Sequence, residues 1–133
     1  MQTFSYKMDH MKKILVVDDD VDILFVIEHL LRLKGFDVRT HTTGVGVPDI
    51  VSKYAPDLIL LDVMLPGKKG TEVCKELKII HPDMPIILFS ANAEQGKAFE
   101  IYNADDFVSK PFDVKNLIKS ITFHVNKLVP AYR

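Results

Sequence analysis

The 133-residue sequence contains one cysteine, Cys74, and no tryptophan. A single cysteine cannot form a disulfide within the chain, so nothing indicates an oxidising compartment. No apolar stretch reaches the ~20 residues that are needed to span a bilayer, and the N-terminus lacks a charged region followed by an apolar signal core. We therefore expect a cytoplasmic protein without a membrane partner, in which Cys74 is a buried or half-buried apolar residue of a helix.

A large charge of one sign is also missing. The chain has 17 lysines and arginines against 18 aspartates and glutamates, which gives a net charge of −1. This balance provides no electrostatic attraction to nucleic acid, so direct nucleic-acid binding by this chain is not expected. The length suits one domain. We predict a domain over residues 12–128, preceded by an extension at 1–11 without helical or strand periodicity and followed by a tail at 129–133.

Short apolar runs alternate with helical patterns along the chain. The runs predict strands at 14–17, 36–40, 58–61, 86–89 and 107–108. The helical patterns cover 21–34, 48–54, a helix capped by Thr71 that ends near residue 80, a weaker helix to about residue 102 that Gly96 interrupts, and 114–128. Continuous apolar strands are typical of a parallel sheet that is buried on both faces. The predicted fold is therefore an α/β doubly wound (βα)5 sandwich, a five-stranded parallel sheet with helices on both faces.

Polar residues follow four of the predicted strands directly. In sheets of this kind ligands bind beyond the carboxyl ends of the strands, so these residues should meet. They are Asp18, Asp19, Asp20, Asp62, Ser90 and Lys110. Two carboxylates ~4 Å apart repel by ~4 kcal/mol at an effective dielectric constant near 20, so the cluster predicts a bound cation. Carboxylate oxygens suit Mg²⁺, which commonly bridges protein carboxylates to a phosphate.

The same residues indicate a reaction. Carboxylates form aspartyl phosphates when the charge on the transferring phosphoryl group is neutralised. A metal ion, the ammonium group of Lys110 and the hydroxyl of Ser90 would together supply that stabilisation. The site is therefore predicted to transfer a phosphoryl group to a carboxylate.

Four segments resemble the receiver domains of two-component response regulators: KILVVDDD at 13–20, LILLDVMLPG at 58–67, ILFSA at 87–91 and DFVSKPF at 106–112. They occur in the family's order and close to its spacing. The resemblance implies a sheet of strand order 2-1-3-4-5. It also implies a phosphoryl group received from a sensor histidine kinase or a histidine phosphotransfer protein, and output to a downstream protein effector or an attached output domain. Such a protein is not an enzyme, although it would catalyse its own phosphorylation and dephosphorylation.

The resemblance also implies a role for each site residue. Asp62 would be the phosphoacceptor, Lys110 would pair with the phosphoryl group, and Ser90 and the aromatic Phe107 would be the switch residues. Mg²⁺ would be held by carboxylates and one backbone carbonyl, those of Asp18, Asp19, Asp62 and Met64. The Lys110–Pro111 peptide bond is often cis in the family.

The sequence departs from the family pattern between Ser90 and Lys110, a stretch a couple of residues shorter than usual in which Asn103 replaces a glycine. Two alternatives remain at this stage. One is a degenerate receiver that serves only as a docking module. The other is a haloacid-dehalogenase-type phosphatase, with Asp18 as nucleophile and Asp20 as general acid. The first alternative keeps the fold, whereas the second leaves Asp62 without a role.

Other polar residues have plain interpretations. Asp20 is expected to cap the following helix. Lys68 and Lys69 are expected to be solvated. The five histidines show neither metal-ligand spacing nor a shared pattern of carboxylate neighbours, so surface or half-buried positions are expected for them. They are His10, His29, His41, His81 and His124.

Overall fold

The computed structural model describes residues 11–92 and 99–127. Its strands are β1 (Lys13–Val17), β2 (Asp37–His41), β3 (Leu58–Asp62), β4 (Ile86–Ser90) and β5 (Asp106–Ser109). The α-helices are α1 (Val21–Leu33), α2 (Val47–Tyr54), α3 (Gly70–Ile80) and α4 (Val114–Val125), and a 3₁₀ helix covers Phe99–Tyr102. Within these two ranges no helix is long and apolar enough to cross a membrane.

The five strands form one sheet of order β2-β1-β3-β4-β5, in which every neighbouring pair is parallel. This confirms the predicted fold. From β1 the chain crosses to β2 at one edge, whereas from β3 it proceeds through β4 to β5 at the other edge. The connections after β1 and β3 therefore diverge, and they leave a crevice beyond the carboxyl ends of these two strands.

Alternate residues of each strand supply the two cores. Leu15 and Val17 pack with α2, α3 and the 3₁₀ helix, whereas Ile14 and Val16 pack with α1 and α4. All four strand residues are fully buried. Such burial contributes about 1.5–3 kcal/mol for each large side chain. Continuous apolar strands are stable here because helices cover the sheet on both faces, as the sequence predicted.

The connection between β4 and β5 differs from the predicted helix. Over its described part it is a single turn of 3₁₀ helix, Phe99–Tyr102, and the predicted stretch around Gly96 lies outside the described residues. Asn103 ends the turn with φ at 63°, the left-handed conformation that asparagine tolerates best after glycine. Its N–H donates to the Glu100 carbonyl at 3.0 Å. The reversal at Asn103 therefore ends this 3₁₀ turn before β5.

The beginning of α3 corrects a second prediction. Thr71 does not cap the helix, because α3 already begins at Gly70 and Thr71 is buried inside its first turn. The residue before the helix, Lys69, makes no side-chain cap. The Gly70 N–H donates instead to the Val63 carbonyl at 3.0 Å. A backbone contact with the end of β3, rather than a hydroxyl cap, fixes where this helix starts.

Cys74 lies on the buried face of α3, as the sequence predicted. Its thiol donates a hydrogen bond to the Tyr102 carbonyl at 3.3 Å, and burial raises the pKa of Cys74 to about 12. A thiol with so high a pKa is unreactive near neutral pH, because the thiolate is the reactive form. Cys74 therefore packs α3 against the 3₁₀ helix.

A polar cluster attaches α4 to the amino end of β5. One carboxylate oxygen of Asp106 accepts from the Ser120 hydroxyl at 2.7 Å and lies 2.9 Å from His124 Nε2. His124 is buried, so the expectation of a surface or half-buried position was wrong for this residue. The contact joins residues 18 positions apart on two elements, and no local pattern in the sequence indicates it.

Replacing Asp106 by asparagine should destabilise the protein more at neutral pH than in acid. Burial alone would raise the pKa of Asp106, but the hydrogen bonds from Ser120, the Phe107 N–H and His124 outweigh it and lower the pKa. A carboxyl whose pKa is lower in the folded state adds stability above its unfolded pKa, near 4, and loses it as pH falls through the folded value.

We expect Asp106→Asn to cost about 1 kcal/mol at pH 7, after allowance for its partly exposed side chain. Urea denaturation of wild type and variant at pH 7 and pH 3 measures the change. Asp49→Asn, which removes one carboxylate of an exposed pair with Lys53, is the control and should change little. A deficit for Asp106→Asn that stays the same at both pH values would contradict the assignment.

Candidate functional site

An acidic pocket lies in the crevice beyond β1 and β3. Val17 and Leu61 are register partners, so the next residues, Asp18 and Asp62, leave the sheet side by side. Asp18 is 0% and Asp62 4% exposed, whereas Asp19 is exposed at the mouth of the pocket. Each of the three offers a carboxylate oxygen, and these oxygens lie within 4.8 Å of one another. The structure thus brings together the three carboxylates that the sequence predicted to meet.

Lys110 reaches the pocket from the end of β5, two strands away from β3. Its Nζ atom lies 2.7 Å from Asp18 Oδ2 and 3.2 Å from Asp62 Oδ2. The same nitrogen lies 4.8 Å from the centroid of the Phe89 ring, which shields one side of it. The Lys110–Pro111 peptide bond is cis. One ammonium group therefore faces two buried carboxylates.

The charges of the pocket do not balance. Burial raises the pKa of Asp62, and the nearby Asp18 charge raises it further, while the Met64 N–H and Lys110 act in the opposite direction. Burial on its own would lower the pKa of Lys110, but its contacts with Asp18 and Asp62 raise it. The raised pKa of Lys110, and the part of the Asp62 shift that Asp18 causes, are the effects that an excess of negative charge produces. A second cation would relieve that excess.

The donor set fits Mg²⁺. Hard carboxylate oxygens at different depths suit an ion that keeps several of its waters. Asp18 Oδ1 accepts from the Asp20 N–H at 2.9 Å, and Asp62 Oδ1 accepts from the Met64 N–H at 3.1 Å, so both carboxylates are oriented by backbone donors. Asp18 Oδ2 makes the ion pair with Lys110 but accepts no hydrogen bond of good geometry from the described residues. The Met64 carbonyl remains a predicted ligand.

Ser90 and Phe107, the predicted switch residues, lie on the two strands beyond β3. Ser90 is the last residue of β4 and is buried, and its hydroxyl accepts from the Asn92 N–H at 3.0 Å. Its carbonyl accepts from the Lys110 N–H at 2.9 Å, which ties it to the end of β5. Phe107 is half-buried against the core beneath α2 and α3. Their switch roles remain predictions.

Asp20 belongs to α1 and not to the pocket. Its Oδ1 atom accepts from the N–H groups of Asp22 and Ile23 at 3.0 and 3.3 Å, which confirms the predicted helix cap. A phosphatase that uses Asp20 as its general acid would need this carboxyl free to face the substrate. The geometry therefore favours Asp62, and not the pair Asp18 and Asp20, as the centre of the chemistry.

The surroundings of Lys68 differ from the solvated position that was expected for it. It is half-buried and donates to Glu76 Oε2 of α3 at 2.6 Å, rather than being solvated. Lys69 is exposed, as expected. The contact joins the loop after β3 to the middle of α3, so it steadies the segment that follows Asp62.

The fold and the pocket together define a parallel α/β domain with an acidic, lysine-containing site at the carboxyl ends of its strands. The family model for the response regulator receiver domain matches residues 14–122. The chain therefore belongs to the response regulator receiver family. Solved structures agree with this assignment.

Three solved receiver domains illustrate the similarity. The receiver domain of NtrX from Brucella abortus is 31% identical, with a TM-score of 0.81 and coverage of 86% of this chain and 99% of that one. A CheY-like receiver domain protein from Methanospirillum hungatei JF-1 is 27% identical, with a TM-score of 0.81 and coverage of 87% and 94%. The BeF3-activated receiver domain of Klebsiella pneumoniae RstA is 27% identical, with a TM-score of 0.82 and coverage of 87% and 100%.

Proposed function

We propose that this receiver domain accepts a phosphoryl group on Asp62 from a sensor histidine kinase or a histidine phosphotransfer protein, with Mg²⁺ as cofactor. The observation that carries the proposal is the buried pair of Asp18 and Asp62, which share the single ammonium group of Lys110. Both carboxylates are kept in place by backbone N–H groups. A cytoplasmic location is part of the proposal and follows from the family alone.

In the proposed reaction a carboxylate oxygen of Asp62 attacks the phosphorus atom, and the bond from phosphorus to the donor's imidazole nitrogen breaks. Lys110 favours the ionised form of Asp62 and would then pair with a phosphoryl oxygen. Bound Mg²⁺ would neutralise charge on the transferring group. Water attack on the same phosphorus would later release phosphate, so the domain would catalyse its own phosphorylation and dephosphorylation without acting on another substrate.

The proposed output is a change of shape. The Ser90 hydroxyl, which the Asn92 N–H holds in this structure, would turn to a phosphoryl oxygen and draw the loop after β4 towards the pocket. Phe107 would then repack against the core. Its ring has no hydroxyl, so packing alone would decide its rotamer, and a downstream protein effector or an attached output domain would read the altered surface.

The direct test is phosphorylation by acetyl phosphate in the presence of Mg²⁺, with the modified residue located by mass spectrometry. We expect one phosphoryl group on Asp62 and none in Asp62→Asn. Asp20→Asn is the matched control, because asparagine caps a helix as well as aspartate does, and it should be labelled like the wild type. Label on Asp18 would support the phosphatase instead. Absence of label in the wild type would leave the docking module as the function.

Mg²⁺ should also stabilise the folded protein. A ligand that binds only the folded state stabilises it by about 2.7 kcal/mol at a concentration one hundred times its dissociation constant. Asp19→Ala should remove most of this effect with little change in the metal-free protein, because Asp19 is exposed. Glu72→Gln, at an exposed carboxylate in the first turn of α3, is the control. Melting temperatures in EDTA and in millimolar MgCl₂ measure the stabilisation by Mg²⁺. A wild-type melting temperature that is the same in both would rule out a metal site.

A further inference from the structure

The end of β2 and the loop between β2 and α2, residues 42–46, contact the segments on the two sides of the acidic pocket. At the end of β2, the His41 carbonyl accepts from the Asp18 N–H at 3.1 Å. Further along, the Thr43 hydroxyl donates to the Pro66 carbonyl at 2.9 Å, and the Gly44 N–H donates to the same oxygen at 3.3 Å. Pro66 lies in the loop that follows Asp62 and contains Met64. The end of β2 therefore contacts the segment of the predicted metal ligands on β1, and the loop that follows it contacts the segment of those on β3.

The loop at 42–46 packs tightly against the loop that follows β3, and at two glycines there is no room for a side chain. A Cβ atom on Gly44 would lie 2.0 Å from the Lys68 carbonyl oxygen, and one on Gly67 would lie 2.7 Å from a methyl group of Val45. The Pro66 carbonyl accepts a third hydrogen bond from the Lys68 N–H at 2.9 Å. Three donors on one oxygen fix this point of the loop firmly.

The Thr43 side chain is itself oriented. Its hydroxyl oxygen accepts from the Val45 N–H at 3.2 Å, so its hydrogen is left to point at Pro66. Pro66 follows Met64 by two residues. A shift of the Pro66 carbonyl would therefore move the Met64 backbone, whose N–H also orients Asp62.

We propose that Thr43 is a positioning residue for the metal-binding loop and sets the Mg²⁺ affinity of the pocket through Pro66. The proposal rests on the proposed function, since it requires Mg²⁺ at Asp18, Asp19 and Asp62. Mg²⁺ demands near-octahedral geometry, so a small displacement of one ligand segment lowers its affinity. Groups bonded directly to metal ligands change affinity by about 10–100-fold when they are removed. Thr43 acts one step further away.

Thr43→Val, which keeps the shape and removes the hydroxyl, should raise the Mg²⁺ dissociation constant by about three- to tenfold. Phosphorylation by acetyl phosphate at saturating MgCl₂ should stay within about twofold of wild type, because no group that contacts the phosphoryl oxygens has changed. Thr43→Ser, which retains the donor, should restore the wild-type dissociation constant. Thr42→Val, at the exposed neighbouring position, should leave it unchanged.

The measurements are calorimetric titration with MgCl₂, thermal unfolding in EDTA, and initial phosphorylation rates. Weaker Mg²⁺ binding in Thr43→Val with rescue in Thr43→Ser supports the proposal. Equal dissociation constants in Thr43→Val and wild type overturn it, and so does equal weakening in the valine and serine variants, which would indicate a merely structural role. If the wild type itself binds no Mg²⁺, the proposed function fails. If the wild type binds Mg²⁺ and Thr43→Val binds it with the same dissociation constant, only this inference fails.

Discussion

Lys110→Met is expected to lower the free energy of unfolding of the metal-free protein by about 3 kcal/mol at pH 8. The substitution leaves Asp18 and Asp62, both buried, without the ammonium group that lies 2.7 and 3.2 Å from their Oδ2 atoms. Two buried carboxylates cannot both stay ionised without a counter-charge. Burial and the Asp18 charge raise the pKa of Asp62, so uptake of a proton by Asp62 relieves this repulsion, and the loss should be smaller at pH 5 than at pH 8.

Urea denaturation in EDTA at pH 5 and pH 8 measures the effect. Addition of Mg²⁺ should recover much of the loss, because a cation then returns to the pocket, and Lys110→Met combined with Asp18→Asn should also recover stability. Lys53→Met is the matched control: it breaks an exposed ion pair with Asp49 at 3.2 Å, which should cost less than about 1 kcal/mol. Equal losses at positions 110 and 53 would show that the pocket is not electrostatically strained.

Gly70→Ala is expected to destabilise the protein by about 3 kcal/mol and to reduce phosphorylation of Asp62. A Cβ atom at this position would lie 1.8 Å from the Asp62 carbonyl oxygen and 3.0 Å from the Val63 Cα atom. These are backbone atoms, so they cannot move aside as a flexible side chain can. Either α3 or the end of β3 must shift, and the second of these moves the phosphoacceptor.

Gly35→Ala separates this steric effect from backbone strain. Gly35 has φ at +90°, but no atom lies within 4 Å of an added Cβ. It should therefore cost only about 1–2 kcal/mol, from the left-handed conformation, and should leave phosphorylation unchanged. Denaturation curves and acetyl phosphate labelling of both variants provide the comparison. Wild-type labelling in Gly70→Ala would mean that α3, and not the end of β3, absorbs the clash.

The centre of the sheet could be predicted from the sequence because its three buried strands, β1, β3 and β4, are built on continuous apolar runs. The first strand was predicted at 14–17 and lies at Lys13–Val17, a difference of one residue. The pocket followed from the fold, because the carboxyl ends of neighbouring parallel strands meet at one edge. Asp18 and Asp62 needed no further information to be placed together.

Two of the errors arise because the deciding contact joins residues of different elements. The start of α3 depends on the fit of Gly70 against the end of β3, and a capping pattern around Thr71 does not contain that information. The burial of His124 depends on Asp106, which belongs to another element. The contact of Lys110 with Asp18 and Asp62 also joins distant residues. It could be predicted because the fold places all three residues at the carboxyl ends of parallel strands.

The sheet also divides the interior into two compartments whose buried side chains belong to one face or the other. A cavity opened beneath α1 and α4 can reach the residues beneath α2 and α3 only through the strand backbones, which are stiffened by hydrogen bonds on both sides. Core substitutions on opposite faces should therefore add in their effect on stability, as distant sites do. Each face can thus be repacked with little effect on the other, whereas the acidic pocket follows β1 and β3, whose side chains belong to both cores, and therefore depends on both.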